Sequence, residues 1–85
     1  MMQMIFIDAR DYASPRQMHE SIAMMLDFPA HYGCNADALN DCLGELRQRP
    51  LVVIEGAGEF LESCGGFAVG LLRVFSDNGI QVLLD

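Results

Sequence analysis

The sequence contains no lysine and no tryptophan, and its five arginines face twelve aspartates and glutamates. The formal net charge is therefore −7 in a chain of 85 residues. A surface of this sign repels nucleic-acid phosphates and anionic membranes, and it attracts basic partners. The composition therefore argues against direct binding of DNA, RNA or a membrane, although solubility alone would also account for the charge.

Cysteine is scarce, with Cys34, Cys42 and Cys64 forming an odd set that lacks metal-ligand spacing. We therefore expect no metal, no cofactor and reduced thiols in the cytoplasm. Long apolar runs are also missing, since no stretch approaches the ~20 residues that a membrane span needs. Asp8 ends the apolar run at residues 4–7 and no basic segment precedes that run, so we expect no signal peptide.

Hydrophobic residues make up 52% of the chain, enough to form a core and too many for a disordered tail. Residues 1–85 are predicted to form a single domain. A chain of this size buries roughly 60–65% of its unfolded surface, which leaves little room for a deep catalytic cleft. Its size favours a binding module over an enzyme.

Strand-like and helix-like segments alternate along the chain. The predicted strands are MIFI (4–7), LVVIE (51–55) and IQVLL (80–84). The predicted helices run from Pro15 to about Leu26, from Ala36 to Arg47 and over residues 67–75, with a short helical turn at residues 59–64. Ser14 and Asn35 are the expected N-caps, and Gly79 is the expected left-handed residue after the last helix.

This order predicts an α/β fold with a small three-stranded parallel sheet, strand order 1-2-3, and helices packed on it. The first two strands are apolar at consecutive positions, which is typical of strands covered on both faces. Either a connection covers the second face of the sheet, or that face meets a partner.

The helix predicted over residues 36–47 has two unlike faces at 100° per residue. One face is a buried stripe of Leu39, Cys42, Leu43 and Leu46. The opposite face carries Asp37, Asp41, Gly44 and Gln48. Two like charges one turn apart cost only about 0.2–0.5 kcal/mol, so the pair alone is also compatible with a solvated surface. A metal site would lack a third ligand, and acid–base catalysis would need a desolvated pocket.

The stretch HYGCNADALNDCL resembles the core motif of the barstar family, Y-G-x-N-x-D-A-L-x-D-x-L. Barstars are intracellular inhibitors of small secreted ribonucleases. The matching positions are Tyr32, Gly33, Asn35, Asp37, Ala38, Leu39, Asp41 and Leu43. The likeness covers about residues 1–55 well and extends loosely through LLRVF and the final strand. The chain departs from the family at His31, where a second aromatic is common, and at Asn40, where tryptophan is frequent.

The resemblance implies a three-stranded parallel sheet and an inhibitory mechanism. The helix and its preceding loop would plug a ribonuclease active site, with acidic side chains standing where RNA phosphates bind. Asp41 matches the central acid and Asp37 a second, while Asp77 is a candidate third. Gly44 is added from the helical wheel, because it leaves room for a partner backbone, and His31 from its place beside the acids. The predicted partner-binding residues are then His31, Tyr32, Gly33, Asn35, Asp37, Asp41, Gly44 and Asp77.

Some residues of this region receive individual predictions. Gly33 is expected to supply a positive-φ turn before the helix. Tyr32 is expected either to pack on the helix entry or to stack on the partner. Periodicity predicts that His19 faces solvent on the first helix. Cys34 lies in the loop that would touch the partner, whereas Cys42 lies on the core stripe.

The favoured interpretation is a cytoplasmic, non-enzymatic inhibitor that binds a basic ribonuclease or related nuclease toxin one to one and is a monomer when free. One alternative is a barstar-like acidic module that binds an unrelated basic protein. A second is an enzyme that uses Asp37 and Asp41 as an acid–base pair. A third is a structural module that dimerises through the uncovered sheet face.

Overall fold

A computed structural model describes residues 3–85 of the chain. In chain order its elements are β1 (Met4–Asp8), a 3-10 turn (Ala9–Asp11), α1 (Pro15–Met25), α2 (Ala36–Gly44), β2 (Leu51–Glu55), α3 (Ala57–Ser63), α4 (Gly65–Asp77) and β3 (Val82–Leu84). The strands form a parallel sheet in the order β1-β2-β3, which confirms the predicted fold. No helix within the described residues is both long and apolar enough to span a bilayer.

The two faces of the sheet have different surroundings. Ile5 and Ile7 pair with Val52 and Ile54 in register, and all four side chains are buried beneath the helices. Successive strand side chains point to opposite faces, so the residues between them lie on the other side. There Phe6 remains 60% exposed. Within residues 3–85 no connection covers this second face, so the first of the two predicted alternatives is wrong, and contact of this face with a partner stays a prediction.

The core joins the inner face of the sheet to the helices. Its largest fully buried side chains are Phe75, Ile7, Ile22, Leu39, Ile54 and Val52. The predicted stripe on α2 is confirmed for Leu39 and Leu43, which are buried. Cys42 and Leu46 lie at its margin and are half-buried. Helix α2 is thus fixed to the core along one side.

The start of α1 follows the predicted capping chemistry. The backbone N–H of Gln17 donates to Ser14 Oγ at 3.3 Å, and Pro15 occupies the first helical position. Gln17 Oε1 in turn accepts from the N–H of Ala13 at 2.7 Å. In a capping box this second bond comes from the N–H of the cap residue, whereas here it comes from Ala13, one residue before the Ser14 cap.

Helix α2 ends three residues earlier than predicted, at Gly44 rather than Arg47. The N–H groups of Glu45 and Leu46 donate to the carbonyls of Cys42 and Leu43, each at 3.2 Å. These i to i−3 bonds tighten the last turn and satisfy carbonyls that would otherwise lack partners. Gln48 consequently lies outside the helix and off its acidic side.

Helix α4 is longer than predicted and begins at Gly65 rather than Phe67. The two glycines form its first turn, because Cys64 ends α3 and also caps α4. Its carbonyl accepts from the N–H of Ala68 at 2.7 Å. At the other end Gly79 has φ +70°, which confirms the predicted left-handed residue. The following strand begins at Val82 instead of Ile80.

Candidate functional site

Helix α2 and its C-cap residue present three carboxylates to solvent. Asp37, Asp41 and Glu45 lie four residues apart and are exposed; we call this set the acidic face. Leu39 and Leu43, on the opposite side, are 0% and 4% exposed. Because the leucines anchor the helix to the core, its rotation about its own axis is fixed and the acids point outward. The predicted separation is confirmed for Asp37 and Asp41 against Leu39 and Leu43, whereas Glu45 was not among the residues predicted for the acidic side.

The first turn of α2 is held by Asn35. Its side-chain oxygen accepts from the N–H of Ala38 at 2.8 Å, the bond of a standard N-cap. Its amide nitrogen donates to the carbonyl of Gly33 at 3.2 Å. Asp37 follows in the first turn, where the helix dipole favours negative charge. Within the chain, then, Asn35 ties the helix to the loop before it.

Replacing Asn35 by alanine should lower the free energy of unfolding by about 1 kcal/mol, within the ~0.5–2 kcal/mol range for lost N-caps. Asn35→Asp is the matched control, since it keeps the oxygen acceptor and adds negative charge where the helix dipole favours it. Urea denaturation of both variants measures the difference. Equal losses in the two variants would contradict a capping role.

The segment before α2, residues 26–35, is termed the pre-helix loop. Tyr32 is half-buried in it, and its hydroxyl lies 2.7 Å from His19 Nδ1. The Tyr32 ring also packs at 5.2 Å from that of Phe28. Burial raises the pKa of Tyr32, and the nearby thiols of Cys34 and Cys42 raise it further. Tyr32 therefore packs against α1 and its own loop, and stacking on a partner stays a prediction.

The prediction that Gly33 has a positive φ is wrong. The left-handed residues of this region are Asp27 and Cys34, with φ of 57° and 53°. A Cβ at position 33 would lie 3.2 Å from Asn35 Nδ2 and 3.5 Å from the Ala38 Cβ. Glycine at this position thus accommodates the close approach of the loop to the first turn of α2, rather than a left-handed backbone.

The prediction that His19 faces solvent is also wrong, because its side chain is only 4% exposed. Its ring lies 5.8 Å from Tyr32 and 5.6 Å, edge-on, from Phe67 of α4. Both contacts come from distant parts of the sequence and widen the buried stripe of α1 beyond its apolar positions.

Two grooves flank α2. The first brings together four predicted site residues, since it is lined by His31, Tyr32, Gly33 and Asp41, with Pro29, Ala38, Cys42 and Glu45. The second lies between the C-terminal ends of α2 and α4 and joins Gly44 to Asp77. Asp37 lines neither groove and stands exposed on the first turn. The predicted residues thus occupy one helix and both of its flanks.

A family model described as Barstar (barnase inhibitor) matches residues 2–82. The chain belongs to the barstar family. It is also 36% identical over 77 residues to "Putative ribonuclease inhibitor YrdF" of Bacillus subtilis (strain 168), a match that covers 89% of this chain and 85% of that protein. The resemblance carried by the YGxNxDALxDxL motif is confirmed.

Asn40, at the position where barstars frequently carry tryptophan, makes a contact that the sequence did not predict. Its side-chain oxygen accepts from Asn78 Nδ2 at 2.8 Å, and Asn78 Nδ2 also donates to the Val74 carbonyl. The Asn78 carbonyl accepts from Arg49 Nε at 2.9 Å. These bonds join α2 to the end of α4 and so place Asp77 beside Gly44.

The acidic face is not neutralised by the chain itself. Across residues 3–85 the ion pairs all involve Arg10, which contacts Asp8 and Glu55. Burial raises the pKa of the Cys42 thiol, and the carboxylates of Glu45 and Asp41 raise it further. The thiol therefore stays protonated and is a poor nucleophile. What this surface offers a partner is unpaired negative charge on a rigid helix.

Proposed function

We propose that this barstar-family chain inhibits a small basic ribonuclease or a related nuclease toxin by placing the acidic face of α2 in its active site. The observation that carries the proposal is the fixed outward projection of Asp37, Asp41 and Glu45 from a helix anchored by buried leucines. A ribonuclease site must attract RNA phosphates with cationic side chains. Carboxylates held at matching positions bind the same cations.

Asp41 is the central acid in this proposal. It lies on the first groove, so a cation that reaches it also meets the loop wall formed by His31, Tyr32 and Gly33. A guanidinium can bind its carboxylate through two parallel charge-assisted hydrogen bonds. Asp37 adds charge near the helix start, and Asp77 extends the contact across the second groove. Gly44 leaves room there for a partner backbone.

The proposal includes the absence of catalysis by the chain itself. Asp37 and Asp41 are both exposed, whereas an acid–base pair requires a desolvated pocket. Binding is proposed to be one to one and the free protein monomeric. Light scattering measures the free state, and the exposed Met4, Phe6 and Leu83 of the open sheet face are the residues to substitute if a dimer is found.

The decisive experiment titrates the purified protein into barnase and, separately, into any basic ribonuclease encoded beside it, while RNA cleavage is followed. We expect stoichiometric inhibition of at least one enzyme and its loss with Asp41→Asn. A basic protein without nuclease activity is the control for charge-driven association. If that control binds as tightly as either ribonuclease, the chain is a general acidic module instead.

Association with a basic ribonuclease should be electrostatically steered, so its rate should fall as salt screens the charges. Glu45→Gln should slow association by a modest factor with little effect on dissociation, because Glu45 caps the end of α2 outside the barstar motif, and a charge at the rim of an interface acts mainly on encounter. Glu62→Gln on α3 changes the net charge equally but lies off the acidic face. Stopped-flow rates at several salt concentrations measure this, and an identical effect of both variants would mean that only total charge matters.

A further inference from the structure

Within residues 3–85 His19 is the one polar or charged side chain that is buried. Its Nδ1 atom lies 2.7 Å from the Tyr32 hydroxyl, which links α1 to the pre-helix loop across 13 positions of sequence. Buried polar groups are costly unless bonded, and this hydrogen bond satisfies one ring nitrogen. A buried, bonded imidazole directly behind the proposed interface has no role in the function described so far.

The surroundings of His19 offer no partner for a positive charge. The residues that share its cavity from α2 and α4 carry no charge: Ala36, Leu39, Gly66, Phe67, Gly70, Leu71 and Val74. Tyr32 is the titratable group that faces it from the loop, and burial raises the pKa of that phenol. On α1 itself, Arg16 and Glu20 are exposed. Burial lowers the pKa of His19, so the neutral imidazole fits this site and the imidazolium does not.

Tyr32 transmits the position of His19 to the interface. It lines the first groove together with Asp41, and it directly precedes Gly33, whose carbonyl accepts from the Asn35 cap. A shift of Tyr32 would therefore move the loop wall of the groove and strain the start of α2. The His19–Tyr32 bond connects the interior of the protein to the surface that carries His31 and Asp41.

We propose that His19 is a positioning residue for the partner-binding surface: its buried neutral ring holds Tyr32 and the loop wall in place, and a proton on His19, which puts a charge without a counter-ion among uncharged side chains, loosens this packing and weakens binding. The binding part of this inference rests on the proposed inhibitory function. The coupling of His19 to the loop is a property of the free protein and can be measured separately.

The expected direction follows from where the proton binds. The folded protein disfavours the charged ring, so the unfolded chain binds more protons between the lowered folded pKa and the ordinary value of 6.5. The stabilisation is complete above that value and is lost as the pH falls toward the folded pKa. If binding requires neutral His19, the dissociation constant rises by up to about tenfold for each pH unit below the pKa of His19 in the free protein.

The first test uses the free protein. NMR titration should show His19 titrating below 6.5, and urea denaturation between pH 7.5 and 5.0 should show a stability loss that His19→Phe reduces. His31→Gln is the matched control, since it removes the exposed histidine and should leave the loss intact. The carboxylates are the same in the wild type and the two variants, so they contribute equally to the pH dependence of stability in all three. A His19 that titrates at or above 6.5, or a His19→Phe variant with an unchanged loss, overturns the proposal.

The second test measures the affinity for barnase from pH 5 to 8. His19→Phe and Tyr32→Phe each delete one side of the hydrogen bond and keep the ring, so each should weaken binding at pH 7.5 by up to roughly tenfold. The double variant should bind barnase no more weakly than the weaker-binding of the two single variants. On acidification the wild type should lose affinity more steeply than His19→Phe. Titration of barnase itself is common to all variants. Equal slopes would make His19 a core residue only.

Hydrogen exchange separates failure of this inference from failure of the inhibitory function. If wild-type protein does not bind barnase, amide exchange over residues 32–36 still reports the loop. Faster exchange there in His19→Phe and Tyr32→Phe, with unchanged exchange in the sheet, supports the positioning role without a partner. Unchanged exchange in that segment overturns it.

Discussion

Asp41→Ala should cost 2–5 kcal/mol or more of affinity for the target ribonuclease, mainly through faster dissociation, while the fold stays intact. Removing one member of a desolvated charge pair strands the partner's cation, and that penalty appears in the dissociation rate. The range comes in part from barnase–barstar complexes, so it is carried over from the family. In the free protein Asp41 is exposed and forms no ion pair with the described residues, so its loss removes no internal support.

Two companion variants give the Asp41 result its meaning. Asp37→Ala should cost less, because Asp37 lies in the first turn of α2 and matches the second rather than the central acid of the barstar motif. Glu45→Ala should cost least and act on association. Dissociation rates for the three proteins, each checked by urea denaturation, decide the order. Equal and small effects at all three positions would identify the acidic face as solvated surface, and unfolding of Asp41→Ala would make that residue structural.

The sequence predicted the parts of α2 that depend on local chemistry. The Asn35 cap, the Leu39 and Leu43 stripe and the outward acids follow from helix period and from short-range hydrogen bonding. The end of the helix did not follow, because α2 closes through bonds from Glu45 and Leu46 to nearby carbonyls. Nothing in residues 44–49 forbids another helical turn before Pro50.

The missed residues depend on contacts between distant segments. The burial of His19 requires Phe67 and Tyr32, which lie 48 and 13 positions away, and helical periodicity sees only the residues of α1. The Asn40–Asn78 bond spans 38 positions and joins two helices whose mutual packing the strand order leaves open. The positive φ predicted at Gly33 was wrong for a related reason. Glycine permits close packing as well as a positive φ, and only the three-dimensional structure distinguishes these two roles.

The sequence therefore predicted one face of a helix as the site, whereas the structure adds a groove on each side of that helix. Family resemblance supplied Asp77 as a candidate and the helical wheel supplied Gly44, yet only the fold puts them in one groove beside α2. The open sheet face shows the opposite limit. Its apolar pattern was visible in the sequence and predicted a face covered by a connection or by a partner, but the pattern could not choose between them, and within the described residues Phe6 is exposed.

The second large effect should come from Leu39→Ala, with a loss of about 2–5 kcal/mol in the free energy of unfolding. Leu39 is fully buried and packs in the core behind the acidic face. It also borders the hollow beside His19, so the deleted atoms would enlarge an existing space rather than leave one that neighbours can close. This places the expected loss toward the upper part of the range, because the cost grows with cavity volume.

Leu61→Ala on α3 is the matched control, since that leucine is 39% exposed and its loss leaves no enclosed cavity. Urea denaturation measures both variants, and the dependence of the unfolding free energy on urea concentration should be the same in each. A domain of this size has only about 5–15 kcal/mol of stability, so Leu39→Ala should have a far lower midpoint of urea denaturation. Its folded fraction should still bind the ribonuclease with near wild-type affinity. Asp41→Ala should show the reverse, full stability and weak binding. A Leu39 loss below 1 kcal/mol, equal to that of Leu61→Ala, would show that α2 is not held by its leucines, and the fixed projection of the acidic face would lose its basis.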